Sequence, residues 1–264
     1  LAAPPATGLN PATSPRMPAM TNLAVEQPSP CATPAALRAL IESRRAVRRF
    51  TSEQVPEAII RDCLELAVLA PNSCNLQPWS FQVVRDPQLL SQLHHVCMSQ
   101  NAAKAPLIIA VLARPDTWRQ ACQNVIDYWP EADVPERIRH FYRTTAPFQY
   151  NQGPFGLLGL CKRQLLRLAA LRKPLMRAPN SLAQMRLWAV KSTALAAENL
   201  MLAFQSHGYA TCPMEGFDEV RLRQTLDIPR QAIPIMLLAV GKQGDKAIYN
   251  PRLRFPLEQH VTWL

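Results

Sequence analysis

Ala36, Leu37, Leu40 and Ile41 recur at the spacing of one helical face, which predicts a helix over residues 35–44 with Thr33 and Pro34 as cap and first-turn proline. A second helix is predicted over residues 57–70, opened by Pro56 and ended by Pro71. Its Ile59, Ile60, Cys63, Leu64, Ala67 and Val68 point inward and its Arg61, Asp62 and Glu65 outward. Residues 80–85 read as a strand and 87–99 as a helix. The unbroken Leu-Ile-Ile-Ala-Val-Leu run within 106–113 reads as a strand buried on both faces. After Pro179 and Asn180 a long helix runs to about Ser206, apolar on nearly every side through Ala194, Leu195, Leu200, Leu202 and Ala203, the mark of a central, buried helix. Gly208 ends it. A short strand (209–212), a helix (217–226), a second buried strand (233–240) and an extended arm (250–256) follow. Residues 114–180 show no clean period. Few strands and more helices in mixed order predict an α+β layer architecture.

Residues 1–34 are crowded with Pro, Ala, Ser and Thr, so ordering them would cost entropy with no burial to offset it; they read as a disordered leader. About 230 residues remain, enough for one core burying around 70 to 75% of its unfolded surface. The expected division is a leader (1–34), a domain (35–256) with an insertion at about 114–182, and a tail (257–264). The start has no basic, apolar signal pattern and no window is long and apolar enough for a membrane span, so the expectation is a cytoplasmic protein. Because the chain begins with Leu1, a fragment, or a true start at Met17 or Met20, is also expected.

Seven cysteines, odd in number and without a Cys-x-x-Cys pair, point to free thiols rather than disulfides or zinc, and no metal site is expected. The net charge of +10 is local. Between Arg137 and Ala197 there is no Asp or Glu but there are eleven basic residues; setting those aside leaves 18 basic against 19 acidic residues elsewhere.

Three segments carry candidate chemistry. Residues 44–50, Arg-Arg-Ala-Val-Arg-Arg-Phe, cluster guanidinium groups able to bind phosphate through paired, charge-assisted hydrogen bonds, although a solvated basic helix end also fits. Residues 71–79, Pro-Asn-Ser-Cys-Asn-Leu-Gln-Pro-Trp, place amides that donate and accept at once, suited to the edge of a ring bearing N–H and C=O groups, or to a self-satisfied turn. Residues 213–218, Pro-Met-Glu-Gly-Phe-Asp, form a turn in which Gly216 permits close backbone approach; an ordinary loop also fits.

In this order and spacing the segments resemble the nitroreductase family of FMN-dependent oxidoreductases, with similarity over roughly residues 35–113 and 183–256. The resemblance implies an α+β fold with a mixed sheet flanked by helices, and an intertwined homodimer holding two FMN sites at its interface. Arg44, Arg45 and Arg48, with Arg252 and Arg254 of the arm, would match phosphate and flavin contacts. Pro71, Asn72, Ser73, Asn75 and Gln77 would come from the partner subunit. Pro213, Met214, Glu215 and Gly216 would lie against the flavin, the Gly216 N–H near the ring nitrogen that accepts hydride. Arg48 is the cation expected to stabilise the reduced flavin.

No side chain of this chain is expected as nucleophile or base, since the flavin carries the chemistry. The implied reaction is ping-pong: NAD(P)H binds transiently over the flavin, gives up hydride and is replaced by a nitroaromatic, a quinone or a related acceptor. The chain departs from the family at Ala46 and Asn72, where Ser is common, and in its long basic insertion. The alternative is a binding protein acting through the apolar, cationic segment 153–177 on an anionic membrane or acidic partner, with nucleic acid disfavoured because leucines rather than aromatics interleave the charges.

Overall fold

The computed structural model describes residues 33–264. The expected leader therefore lies outside the described residues except for its end, where Thr33 Oγ1 accepts from the Ala36 N–H at 3.2 Å and Pro34 opens helix α1 (Pro34–Ser43). None of the α1 residues is buried, so its predicted apolar face, with Leu37 and Ile41, is open to solvent in the single chain. Helix α2 (Glu57–Ala67) buries Ile60, Cys63 and Ala67 but stops short of Ala70, leaving Leu66, Val68 and Leu69 exposed. Val68, expected inward, thus points out.

Strand β1 (Trp79–Val84) leads through α3 (Pro87–Val96), capped by Asp86, into β2 (Leu107–Ala113). The expected irregular stretch is largely helical: α4 (Trp118–Asp127), α5 (Glu136–His140), a π-helical turn Phe141–Thr145, α6 (Ala146–Tyr150) and α7 (Leu157–Ala169). Then come α8 (Leu182–Ser206), β3 (Ala210–Met214), α9 (Glu219–Thr225) and β4 (Ile233–Gly241). Gly208 leaves α8 at φ +71°, a conformation that favours glycine. β3 reaches two residues beyond its expected end because it is an edge strand, where Pro213 is tolerated.

The strands form one sheet in the order β1-β2-β4-β3, every neighbouring pair antiparallel. The mixed sheet that was expected is therefore antiparallel across these strands; a parallel element is the isolated bridge between Ala46 and Thr211. Alternation along β2 divides the core into two layers. Leu107 and Ile109 face α2 and α8 with Leu238, Val240, Leu200 and Phe204, whereas Ile108, Ala110 and Leu112 face α3 and α9 with Leu93, Val96 and Leu222. A third cluster joins the insertion to α8: Leu76, Cys122, Ala146, Tyr150, Met185 and Trp188 pack together. The insertion shares this core.

The cysteines test this layering. Burial pushes the Cys63 thiol up to about 12 and those of Cys97 and Cys122 up to about 11, while Cys161 is exposed on α7 and Cys74 half-buried. Among the cysteines of the described residues, iodoacetamide at neutral pH is expected to modify Cys161 first and Cys74 next, leaving Cys63, Cys97 and Cys122 unmodified in the native protein. Peptide mass spectrometry showing Cys63 alkylated as fast as Cys161 would contradict the packing of α2 on α8.

Candidate functional site

The arginine segment leaves α1 and runs along the outer edge of β3. Val47 N–H donates to Thr211 O at 3.1 Å and Arg48 N–H to Ala247 O at 2.8 Å, so the backbone carrying the guanidinium groups is pinned at both residues. Arg48 and Arg44 lie near enough to Cys212 to oppose the rise in its thiol pKa that burial causes. The Arg48 and Arg49 guanidinium groups stand 5.5 and 5.8 Å from the centroid of the Tyr249 ring. Asn101 Nδ2 donates to the Tyr249 hydroxyl at 2.9 Å; that bond, and next the Arg49 guanidinium, hold the phenol below its ordinary pKa.

The arm returns to the same place. Arg252 Nη2 donates to Glu42 O at 2.7 Å and Arg44 O at 2.6 Å, satisfying carbonyls at the end of α1, and Arg45 Nη2 donates to Asn250 O at 2.6 Å. Arg45 and Arg252 thus clasp the arm to the motif. Arg44, Arg48 and Arg254 have no ion pair among the described residues.

β3 delivers the third segment to the same edge. Met214 is buried in the core, so only its backbone is available; Pro213 is half-buried in the strand, while Glu215 and Gly216 emerge exposed. Gln100 Nε2 donates to Gly216 O at 2.6 Å and holds the Gly216–Phe217 peptide; Glu215 O, on the peptide that carries the Gly216 N–H, accepts from the Phe217 N–H at 3.1 Å, and the Gly216 N–H itself has no hydrogen-bond partner among the described residues. Unpaired guanidinium groups on Arg44 and Arg48 beside a strand that ends in an unspent N–H form a donor set for a phosphate-bearing ligand with an acceptor ring.

The amide loop lies elsewhere. It feeds β1 at the opposite edge, four strand spacings or about 19 Å from the arginine segment. Cys74, Asn75 and Gln77 hold left-handed conformations at φ 59°, 46° and 45°, a concentration of strain that only the surroundings can maintain. Asn72 supplies part of that support, its Oδ1 accepting from the Gln77 N–H at 2.8 Å and its Nδ2 donating to Ala70 O at 3.3 Å. The insertion supplies the rest: Tyr142 donates to Cys74 O at 2.9 Å, and the Tyr150 hydroxyl lies 3.1 Å from Ser73 Oγ. Burial pushes the Tyr150 phenol well above its ordinary pKa, so it stays protonated. Pro71 and Asn75 are exposed, with Gln77 Nε2 reaching Asn75 Oδ1 at 3.4 Å.

The fold therefore gathers residues 44–48, 213–216 and 250–252 at one edge and places 71–77 at the other. Sequence reasoning missed Gln100, Asn101 and Tyr249, which orient Gly216 and Arg48. The one signal for the first two is a polar pair just after α3, where Met98 and Ser99 turn left-handed.

The Nitroreductase family model matches residues 41–242. The chain belongs to the nitroreductase family. Among curated relatives, it is 28% identical over 223 residues to a Thermus thermophilus protein named NADH dehydrogenase, covering 83% of this chain and 92% of that one. It is 25% identical over 251 residues to the 4-nitrobenzoate reductase of a Nocardioides species, covering 87% and 90%. Among solved structures, a nitroreductase family protein from Streptococcus pneumoniae superposes with a TM-score of 0.64 at 22% identity, covering 86% of this chain and all of that one. A family structure from Exiguobacterium sibiricum, in complex with FMN, gives 0.64 at 21% identity, covering 86% and 96%. These superpositions establish the nitroreductase fold.

Proposed function

We propose that the chain is an FMN-dependent oxidoreductase that takes hydride from NAD(P)H and passes it to a nitroaromatic, quinone or related acceptor in alternating half-reactions. The observation that carries this reading is the pair of unpaired guanidinium groups, Arg44 and Arg48, beside the unspent N–H of Gly216. Family membership and the relatives' names support it, as does the FMN in the Exiguobacterium neighbour. The residues fit the cofactor: Arg44 and Arg48, with Arg254 from the arm, would hold its phosphate, and Gly216, whose carbonyl Gln100 holds, would approach the ring. When bound, FMN supplies the ring that accepts and returns hydride.

Residues 71–77 can serve the same ligand only from a second copy, since their own edge lies about 19 Å from the arginines. A homodimer is therefore part of the proposal. The exposed apolar residues Leu37 and Ile41 on α1, Leu69 after α2, and Leu187 and Leu195 on α8 provide surface for it. None of the described helices is long and apolar enough to cross a membrane, and a cytoplasmic location is proposed with this chemistry. A binding role for residues 153–177 is compatible with catalysis, because the α7 leucines are not needed to complete the core.

The deciding experiment is the visible spectrum of the purified protein with identification of any released chromophore, followed by anaerobic addition of NADH or NADPH and mass measurement by light scattering. Bound FMN, bleached by a nicotinamide donor in a particle of twice the chain mass, is the expected result. A colourless protein that also fails to take up added FMN would overturn the proposal.

A further inference from the structure

Helix α7 is amphipathic in the wrong sense for its own core. Its buried residues are Gly159 and Lys162, whereas Leu157, Leu160, Leu165 and Leu168 are exposed, the last two at 67% and 68%. Phe155 and Leu171, just beyond its two ends, are exposed at 94% and 84%. The inner face is nevertheless fixed. Gly159 packs so closely on the Asn180 carbonyl that an added Cβ would lie 2.8 Å from that oxygen, and Lys162 Nζ donates to Phe148 O at 2.7 Å and Asn151 O at 2.6 Å. The outward leucines are thus presented by a docked helix.

The charges around them are of one sign. Arg163, Arg167, Arg172, Lys173 and Arg177 lie in the acid-free part of the chain and have no ion-pair partner among the described residues. Three of them meet at a cavity of about 250 Å³, lined by Arg163, Arg167 and Arg177 with Asn180, Ser181 and Gln184 at the start of α8. The polar groups of α8 there are already engaged, Ser181 Oγ accepting from the Gln184 N–H at 3.2 Å and Gln184 Oε1 from the Asn180 N–H at 2.7 Å. The guanidinium groups are less engaged; Arg167 Nη1 donates to Gln164 Oε1 at 3.4 Å. Forked donors converging without a carboxylate suit a phosphate ester.

We propose that α7 docks on an anionic phospholipid membrane: its leucines and Phe155 enter the boundary between headgroups and acyl chains, and a headgroup phosphate seats among Arg163, Arg167 and Arg177. Apolar residues interleaved with unpaired cations complement such a surface. The same helix of a second copy complements it poorly, because a two-fold axis through α7 would set one acid-free cationic face against another. The inference does not depend on the flavin reading, and its failure would leave that reading untouched.

The test is flotation of the full chain with vesicles of phosphatidylcholine, with and without phosphatidylglycerol, across a range of salt. The protein is expected to float with the anionic vesicles at low salt, to release as salt rises, and to ignore pure phosphatidylcholine. Each arginine removed in Arg163→Ala and Arg167→Ala should weaken partition about fivefold. Leu165→Ser with Leu168→Ser should weaken it too while leaving the melting temperature unchanged, since both side chains are already exposed. Absence of wild-type flotation at low salt would overturn the proposal without reference to any variant, and so would undiminished binding by the arginine variant. Calorimetric binding of inorganic phosphate without vesicle partition would reassign the cavity to a soluble phosphate ester. A fall in solution mass of the leucine variant with vesicle binding unchanged would reassign the face to a second copy.

Discussion

Replacing Arg44 and Arg48 together by alanine is expected to lower FMN affinity by about two to four orders of magnitude with little change in melting temperature. Each sheltered guanidinium–phosphate contact contributes roughly 1.5–3 kcal/mol, and every 1.4 kcal/mol is a factor of ten. The fold should tolerate the change because backbone bonds, Val47 N–H to Thr211 O and Arg48 N–H to Ala247 O, hold the segment in place. Neither side chain has an ion-pair partner whose charge would be orphaned among the described residues. Arg45→Ala is the contrasting variant: it removes the bond to Asn250 O and should loosen the arm while costing less affinity. Fluorescence titration of FMN-free protein distinguishes the two. Equal affinity in the parent and the double variant would show that the phosphate is held elsewhere.

Lys162→Met is expected to destabilise the protein by about 3 kcal/mol, a fall in melting temperature of roughly 6–12 °C for a chain of this size. Lys162 is 4% exposed, and its amine satisfies the carbonyls of Phe148, Gln149 and Asn151 at the end of α6, in the manner of a cation at a helix C-terminus. Burial lowers its pKa, yet the oxygens around it keep a donor in demand. Methionine fills similar volume and leaves those oxygens without the amine. Hydrogen exchange should show the loss concentrated in residues 146–169. A melting temperature unchanged from the parent would mean that the amine reaches solvent and that α7 is held by something else.

Much of the frame was legible because its signals are long. The β2 run has no polar interruption, and α8 offers twenty-five residues whose buried positions recur through four turns and more. The insertion was illegible for the opposite reason. Helix α4 buries Cys122, α6 buries Ala146 and Tyr150, and α7 buries Gly159 and Lys162, so no apolar period accumulates. In α7 the pattern misleads outright, since the leucines that resemble a core face are the exposed ones.

The candidate site was legible where residue type alone carries chemistry, as with Arg44, Arg48 and Gly216. Which members are spent was not legible. Arg45 and Arg252 are consumed by carbonyls more than two hundred residues away in sequence, a pairing that only the return of the arm creates. Asn72, which departs from the usual serine, reaches the N–H of Gln77 five residues on and steadies the strained loop. Gln100, Asn101 and Tyr249 stand in no motif, and their roles follow from contacts between distant segments.

The separation of the arginine and amide segments across the sheet has a thermodynamic consequence for the proposed dimer. If one ligand draws donors from residues 44–48 of one chain and residues 71–77 of another, its binding and the association of the chains become linked equilibria, each strengthening the other by the same factor. Dilution then acts as a competitor for the cofactor, and the cofactor acts as glue. A change at Leu187, exposed on α8 and outside the 44–48 arginine segment, would be measured as a defect in cofactor retention.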